Sequence, residues 1–236
     1  MKNLTGKEFL ELFLNGNTKF SNIKIINFSL RDSFLLRKCL KDKKILLNFE
    51  NCVFDGIKAK LYLPGVMLRG CSFEEAKLSG SVFGNAKFIA CNLQKTNFDD
   101  ANFLNASFSG GNLTMASFAR ANCEMVRFTN IKNMTFAYFF KANLKKAEFL
   151  NSNLYGAVLS QSDLEDSRFE NVNLEKCDAT YANFQNAILK NVSMEGAQLK
   201  GSNFLGAKLK NVSLKNARTT GIKIKEEVAE KLRKAA

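Results

Sequence analysis

The chain has no histidine and no tryptophan among its 236 residues, and only one proline, Pro64. Without histidine it lacks the side chain that most often serves as a general base near neutral pH, and with it the imidazole that transition metals favour. Six cysteines are present, yet none forms a C-x-x-C pair, so their spacing offers no metal site. There is no Gly-rich phosphate loop and no nucleophile motif. No apolar stretch approaches the length that spans a bilayer. The opening Met1-Lys-Asn-Leu-Thr-Gly-Lys-Glu lacks the apolar stretch of a signal peptide. These absences predict a cytoplasmic protein with reduced cysteines that is not an enzyme and holds no cofactor or metal.

What the chain does have is a period of five. From Val66 to Ile131 a large apolar residue recurs at Leu68, Phe73, Leu78, Phe83, Phe88, Leu93, Phe98, Phe103, Phe108, Leu113 and Phe118. Two positions before each stands a compact residue, such as Cys71, Ala76, Ser81, Ala86 and Cys91. The same register returns from Ala137 to Ile224, through Leu144, Phe149, Leu154 and onward to Leu214. Five fits neither the helix nor the strand period. It fits a chain that turns a corner every five residues, burying the large and compact residues and exposing the other three. Four such sides close a square coil, so residues twenty apart stack along the axis, about 4.8 Å apart. Fixed-period stacking of this kind is how repeat proteins bury a core. The 22 phenylalanines then serve to fill a narrow interior.

Runs such as Ala101-Asn-Phe103-Leu-Asn, Ala142-Asn-Leu144-Lys-Lys and Ser202-Asn-Phe204-Leu-Gly resemble the A-(D/N)-(L/F)-x-x units of the pentapeptide repeat family. The resemblance covers most of the chain. It implies an all-β fold, a right-handed quadrilateral β-helix, forming one domain over residues 1–236. It does not imply a function, because one scaffold serves unrelated purposes.

Deviations from the period mark the expected special features. Residues 5–14 read as a helix capping the N-terminal end, with Thr5 and Glu8 at capping-box spacing. Phe20, Ile25, Leu30 and Leu35 then read as repeat positions. Residues 36–48 form an irregular basic insertion, in which Arg37, Lys38, Lys41, Lys43 and Lys44 are the densest cationic cluster of the chain. As a projecting loop this cluster could engage an anionic partner; a solvated loop or short helix is the plainer alternative. The regular repeats of 66–224 contain a one-residue slip near 129–136, as at a β-bulge. Beside it, the repeat places Phe139 inside and Tyr138 and Phe140 outside, an aromatic pair suited to a contact. Residues 225–236 read as a C-terminal helix that either caps that end or pairs two chains into a homodimer.

Charge bears on partners. The formal net charge is +13. Family members that protect DNA gyrase resemble duplex DNA through continuous acidic columns. Here the twenty-residue rule instead stacks Lys145 on Glu165, Glu170 on Lys190 and Glu148 on Arg168, opposite charges on neighbouring strands. Lys190, Lys208 and Lys210 share one side near the C-terminal end and could engage phosphates. The carboxylate pairs Glu74/Glu75 and Asp99/Asp100 stand on different sides of the square and cannot converge on a substrate. The sequence therefore points to a rigid scaffold or protein-binding module whose partner is another protein. The alternative is a nucleic-acid or topoisomerase–DNA binding protein acting through basic patches.

Overall fold

A corner every fifth residue requires left-handed backbone, which glycine tolerates freely and asparagine better than most residues. Positive φ indeed recurs at Asn85, Ala90, Lys95, Asp100 and Asn105, and the same step runs through Gly196, Gly201 and Gly206. The computed structural model describes residues 1–41 and 45–225. It is a right-handed quadrilateral β-helix built of parallel coils.

The elements in chain order are β1 (Lys2–Thr5), α1 (Gly6–Leu14), β2 (Lys19–Ser21), β3 (Ile23–Ile26), α2 (Leu30–Lys41), β4 (Asn48–Glu50), β5 (Met67–Arg69), β6 (Lys87–Ile89), β7 (Ser107–Ser109), β8 (Arg127–Thr129), β9 (Glu148–Leu150), β10 (Arg168–Asn173), β11 (Ile188–Ser193) and β12 (Lys208–Ser213). Ten of these strands stack as one parallel sheet, from β12 in sequence order down to β4 and β2, and form the first side of the square. The other three sides are joined by single parallel bridges, such as Ser72↔Asn92 on the second, Lys77↔Asn97 on the third and Val82↔Asn102 on the fourth, except where β10, β11 and β12 continue around the corner onto the second side.

Stacking in register converts the sequence repeat into columns of like side chains. On the first side Phe88, Phe108, Phe128, Phe149 and Phe169 form one pile, with ring centroids 4.6, 4.9, 5.0 and 4.7 Å apart. Phe98, Phe118 and Phe139 form another on the third side, at 5.3 and 5.0 Å. Adjacent piles meet edge to face, as between Phe108 and Phe118 at 5.9 Å, the arrangement the ring quadrupole prefers. The compact slot of the second side stacks Cys52, Cys71 and Cys91, all buried and free. Their thiols donate to the Phe20, Phe49 and Leu68 carbonyls at 3.5, 3.4 and 3.4 Å, and burial raises the Cys91 thiol to about 11.

Asparagine secures the corners in two ways. Placed just before the large residue, its Oδ1 accepts from the backbone N–H two positions on, as in Asn102 with Leu104 at 2.9 Å and Asn173 with Glu175 at 2.8 Å. This local turn satisfies a donor that the corner leaves unpaired. At the corner closing the first side, Asn130, Asn151, Asn171, Asn191 and Asn211 form a ladder. Each amide donates to the Oδ1 of the preceding rung, at 3.1, 2.8, 2.8 and 2.9 Å.

The N-terminal end is closed by α1. Its capping box is present, with the Thr5 N–H donating to Glu8 at 2.7 Å and the Glu8 N–H to Thr5 Oγ1 at 3.2 Å. Phe9 is driven into the first coil, 4.8 Å from the Phe20 ring and 5.9 Å from Phe49. β1 adds a parallel partner to β3. Two expectations need correction here. The segment read as an irregular insertion at 36–48 begins inside a helix, which runs over Leu30–Lys41. Leu30 and Leu35 are accordingly not repeat positions: Leu30 opens α2, and Leu35 is exposed on it. The reason is a second cap, in which Asp32 accepts from the Ser29 N–H at 2.8 Å while Ser29 Oγ accepts from the Asp32 N–H at 3.1 Å. Helix α2 stands in for the third and fourth sides of the first coil and buries Leu36 and Leu40.

The weak repeats before Val66 are explained by a coil one residue short. Partners are nineteen apart at Lys58↔Lys77 and twenty apart at Tyr62↔Val82. At the other end Leu209, Leu214, Ala217, Ile222 and Ile224 of the last coil are only partly buried. The helix expected at 225–236 lies outside the described residues, apart from Lys225.

Two consequences are measurable by chemical denaturation. Phe118→Ala should lower stability by about 3–5 kcal/mol, because it opens a cavity between two ring piles. Asn171→Ala should cost about 1–2 kcal/mol, since it removes two ladder bonds at a left-handed corner.

Candidate functional site

The regularity of the solenoid fails at one mid-rod position, and several exposed aromatics gather beside it. Strand partners are twenty apart at Ser109↔Thr129 and twenty-one apart at Asn112↔Asn133, so one extra residue enters between Thr129 and Asn133. Ile131 remains buried, and its N–H donates to Ser152 Oγ at 3.2 Å. Phe136 follows at the corner between the second and third sides, with φ of 57° and 53% of its surface exposed.

Phe136 is held in place although it faces solvent. A Cβ at Gly156, one coil on, would lie 2.5 Å from its ring, so the glycine leaves the space that the ring occupies. Tyr155 meets it edge-on at 5.9 Å. Along the third side Tyr138 and Phe140 project together, their centroids 6.1 Å apart. Val158 stacks beside Tyr138 in the next coil. The opposite corner of this side repeats the device, with the exposed Tyr181 ring lying where a Cβ of Gly201 would intrude at 2.4 Å. Lys141 Nζ sits 5.1 Å from the Phe140 centroid and Lys176 Nζ 5.5 Å from that of Tyr155, within cation–π range. The Tyr155 hydroxyl raises the Lys176 ammonium above its ordinary value. Tyr138 and Phe140, anticipated as outward, are thus joined by Phe136, Tyr155 and Tyr181. The repeat pattern did carry that signal, since all three fall on outward positions.

The cationic candidates are dispersed. Arg37 and Lys38 project from α2, a helix instead of a loop, and Lys41 is its last residue. Lys43 and Lys44 lie outside the described residues. The Arg37 guanidinium lies 5.6 Å over the Tyr62 ring. Lys190, Lys208 and Lys210 do share the first side, with Lys190 and Lys210 directly paired across β11 and β12. Lys190 is neutralised by Glu170 at 2.6 Å, whereas Lys208 and Lys210 are exposed.

Ion pairs run along the coils much as the stacking rule predicts, with one difference. Lys145 reaches Glu165 at 2.7 Å and Asp163 at 3.3 Å. Glu148 pairs with Arg127 at 3.0 Å instead of Arg168, because Arg168 turns along its own strand to Glu170. Glu170 is therefore held by two cations, Lys190 and then Arg168, and its carboxyl falls to about 2.

Comparison with known proteins now fits the geometry. The family model "Pentapeptide repeat region" matches residues 81–159 and 155–224, and the chain belongs to the pentapeptide repeat family. Solved structures it resembles include HetL, a pentapeptide repeat protein involved in heterocyst differentiation regulation from the cyanobacterium Nostoc sp. strain PCC 7120. That match has 19% identity and a TM-score of 0.36, covering 95% of this chain and 96% of the other. QnrB1, a plasmid-mediated fluoroquinolone resistance protein, matches at 20% identity and a TM-score of 0.39, covering 77% of this chain and 88% of the other. A pentapeptide repeat protein of the Arabidopsis thaliana thylakoid lumen matches at 22% identity and 0.23, covering 53% and 76%. No curated protein matches the sequence. Among the described residues no helix is long and apolar enough to cross a membrane.

Glu170 gives a pH test. Its folded pKa lies below the unfolded value of about 4.3, so its stabilising effect is present above that value and is lost as pH falls towards 2. Acid unfolding of Glu170→Gln should be shallower than wild type across that window. A carboxyl NMR titration of Glu170 should show a midpoint near 2.

Proposed function

We propose that the protein is a rigid, non-enzymatic binding scaffold of the cytoplasm, and that the third side at mid-rod docks a protein partner. The observation that carries this reading is the aromatic surface formed by Phe136, Tyr138 and Phe140, with Tyr155 and Tyr181 at its margins. Interface hot spots are enriched in tyrosine, and large rings with few rotatable bonds lose little entropy on contact. Glycines beside Phe136 and Tyr181 hold those rings ready, which lowers the cost of binding. Neighbouring outward positions of this side carry small side chains, Ser117, Ser160 and Thr180, that allow a flat partner to approach.

A second reading has its own support. The last described coil, residues 206–225, carries Lys208, Lys210, Lys215, Arg218, Lys223 and Lys225 and no carboxylate. A nucleic acid, or a topoisomerase–DNA complex, would be attracted there, and its binding would weaken steeply with salt. The same end is where a homodimer would form if the segment after Lys225 pairs two copies.

The test is affinity capture from cell extract with wild type and with a Phe136→Ser/Tyr138→Ser/Phe140→Ser variant shown by circular dichroism to be folded. A partner identified on the wild type should bind the variant at least a hundredfold more weakly, since hot-spot side chains each contribute about 2 kcal/mol or more. Equal affinity for both proteins would rule out this surface.

A further inference from the structure

A concave surface lies at the N-terminal end, far from the aromatic face and independent of it. Helix α2 lies against the exposed edge of the second coil, where the Ser33 hydroxyl donates to the Lys60 carbonyl. Between helix and coil is a cleft of about 170 Å³ lined by Ser33, Phe34, Arg37, Lys60, Tyr62 and Gly80 among others. Tyr62 supplies a half-buried ring under the Arg37 guanidinium. Phe34, 66% exposed, stands at the helix side. Lys60 lies across the next corner, where a Cβ on Gly80 would approach its Nζ to 3.2 Å.

Beside the cleft on the third side, Lys58 and Lys77 are directly opposed on adjacent coils, and both are exposed. Like charges in that position repel. Elsewhere cations stack on carboxylates, as at Lys95–Glu75, Arg120–Asp100 and Lys145–Glu165, and in the like pair Lys190 and Lys210 one member is held by Glu170. No carboxylate of the described residues forms an ion pair with Arg37, Lys58, Lys60 or Lys77. The neighbouring acids are engaged elsewhere: Asp32 caps α2 through Ser29, and Asp55 accepts from Ser72 Oγ at 2.5 Å and from the Glu74 N–H at 2.9 Å.

Two cations, Arg37 and Lys60, line a cleft with aromatic walls, and two more, Lys58 and Lys77, stand beside it; this set is complementary to an anion attached to a flat ring. We propose that this cleft binds a nucleotide, with its phosphate on Arg37 and Lys60 and its base against Tyr62 and Phe34. Lys58 and Lys77 would attract the adjoining phosphate of a strand. Arginine suits phosphate through its fork of donors, and ring stacking next to cations is how single strands are held without sequence preference. The nucleotide could be free or part of a single strand, and both arms of the test use the full chain.

Binding of a fluorescein-labelled single-stranded oligo(dA) dodecamer is followed by anisotropy across a salt series, and binding of AMP by calorimetry. Arg37→Glu/Lys60→Glu should weaken binding at least tenfold. Tyr62→Ala should weaken it about fivefold without changing the salt slope. Lys77→Ala should flatten the logarithmic salt slope for the oligonucleotide by about 0.7, the value for one phosphate on a single strand. Lys146→Glu, an exposed position several coils along the rod, should bind as wild type. AMP binding that is lost in the cleft variant identifies a free nucleotide, and oligonucleotide binding alone identifies a strand. The proposal is overturned if neither probe binds saturably at 0.15 M salt, or if the cleft variants bind as well as wild type.

Discussion

Everything in this molecule depends on the parallel pairing of one coil with the next at the spacing of β-strands. That spacing fixes the axial rise, so side chains twenty positions apart must either attract one another or be tolerated in contact. Phenylalanine stacks on phenylalanine, asparagine bonds to asparagine, and lysine meets glutamate. Each contact is small, a few tenths of a kcal/mol to about 1 kcal/mol for a cross-strand pair, but the same contact recurs along the rod. The interior admits little besides phenylalanine rings, aliphatic side chains and compact residues, and this explains why the sequence is so restricted at two positions in five.

The same constraint determines what was legible from the residues alone. Inward positions could be read because a period of five has only one sensible folding, and the buried columns at Phe88–Phe169 follow it. The aromatic pair Tyr138 and Phe140 was legible as outward for that reason. Phe136 falls on an outward position too; what the repeat does not reveal is that its ring lies over Gly156, a relation between positions twenty apart. The start of helix α2 was missed because Leu30 and Leu35 happen to keep the five-residue step. The competing signal, Ser29-x-x-Asp32 followed by Leu36 and Leu40 at helical spacing, was present and prevailed through its cap bonds.

The basic candidates show the limit of reading charge by proximity in sequence. Lys190 looks like part of a patch with Lys208 and Lys210, yet its charge is spent on Glu170. Lys58, Lys60 and Lys77 drew no attention as a group. The shortened coil and the helix set Lys60 with Arg37 in one cleft, with Lys58 and Lys77 beside it. Where the fold pairs charges, their number tells little, and where pairing lapses, a small group of them becomes informative.

The closed N-terminal end has a bearing on how the chain is made. A ribosome releases β1, α1 and the first coil before any of the regular repeats, and that end already carries its own buried ring, Phe9, against Phe20 and Phe49. Every later coil then emerges beside a finished edge to which only twenty residues need be added. Contacts of long apparent range are thus formed in short increments, each closing a loop of modest entropy. The order of synthesis becomes the order of assembly, and the solenoid can lengthen by accretion, without a search of the whole chain for its partner strands.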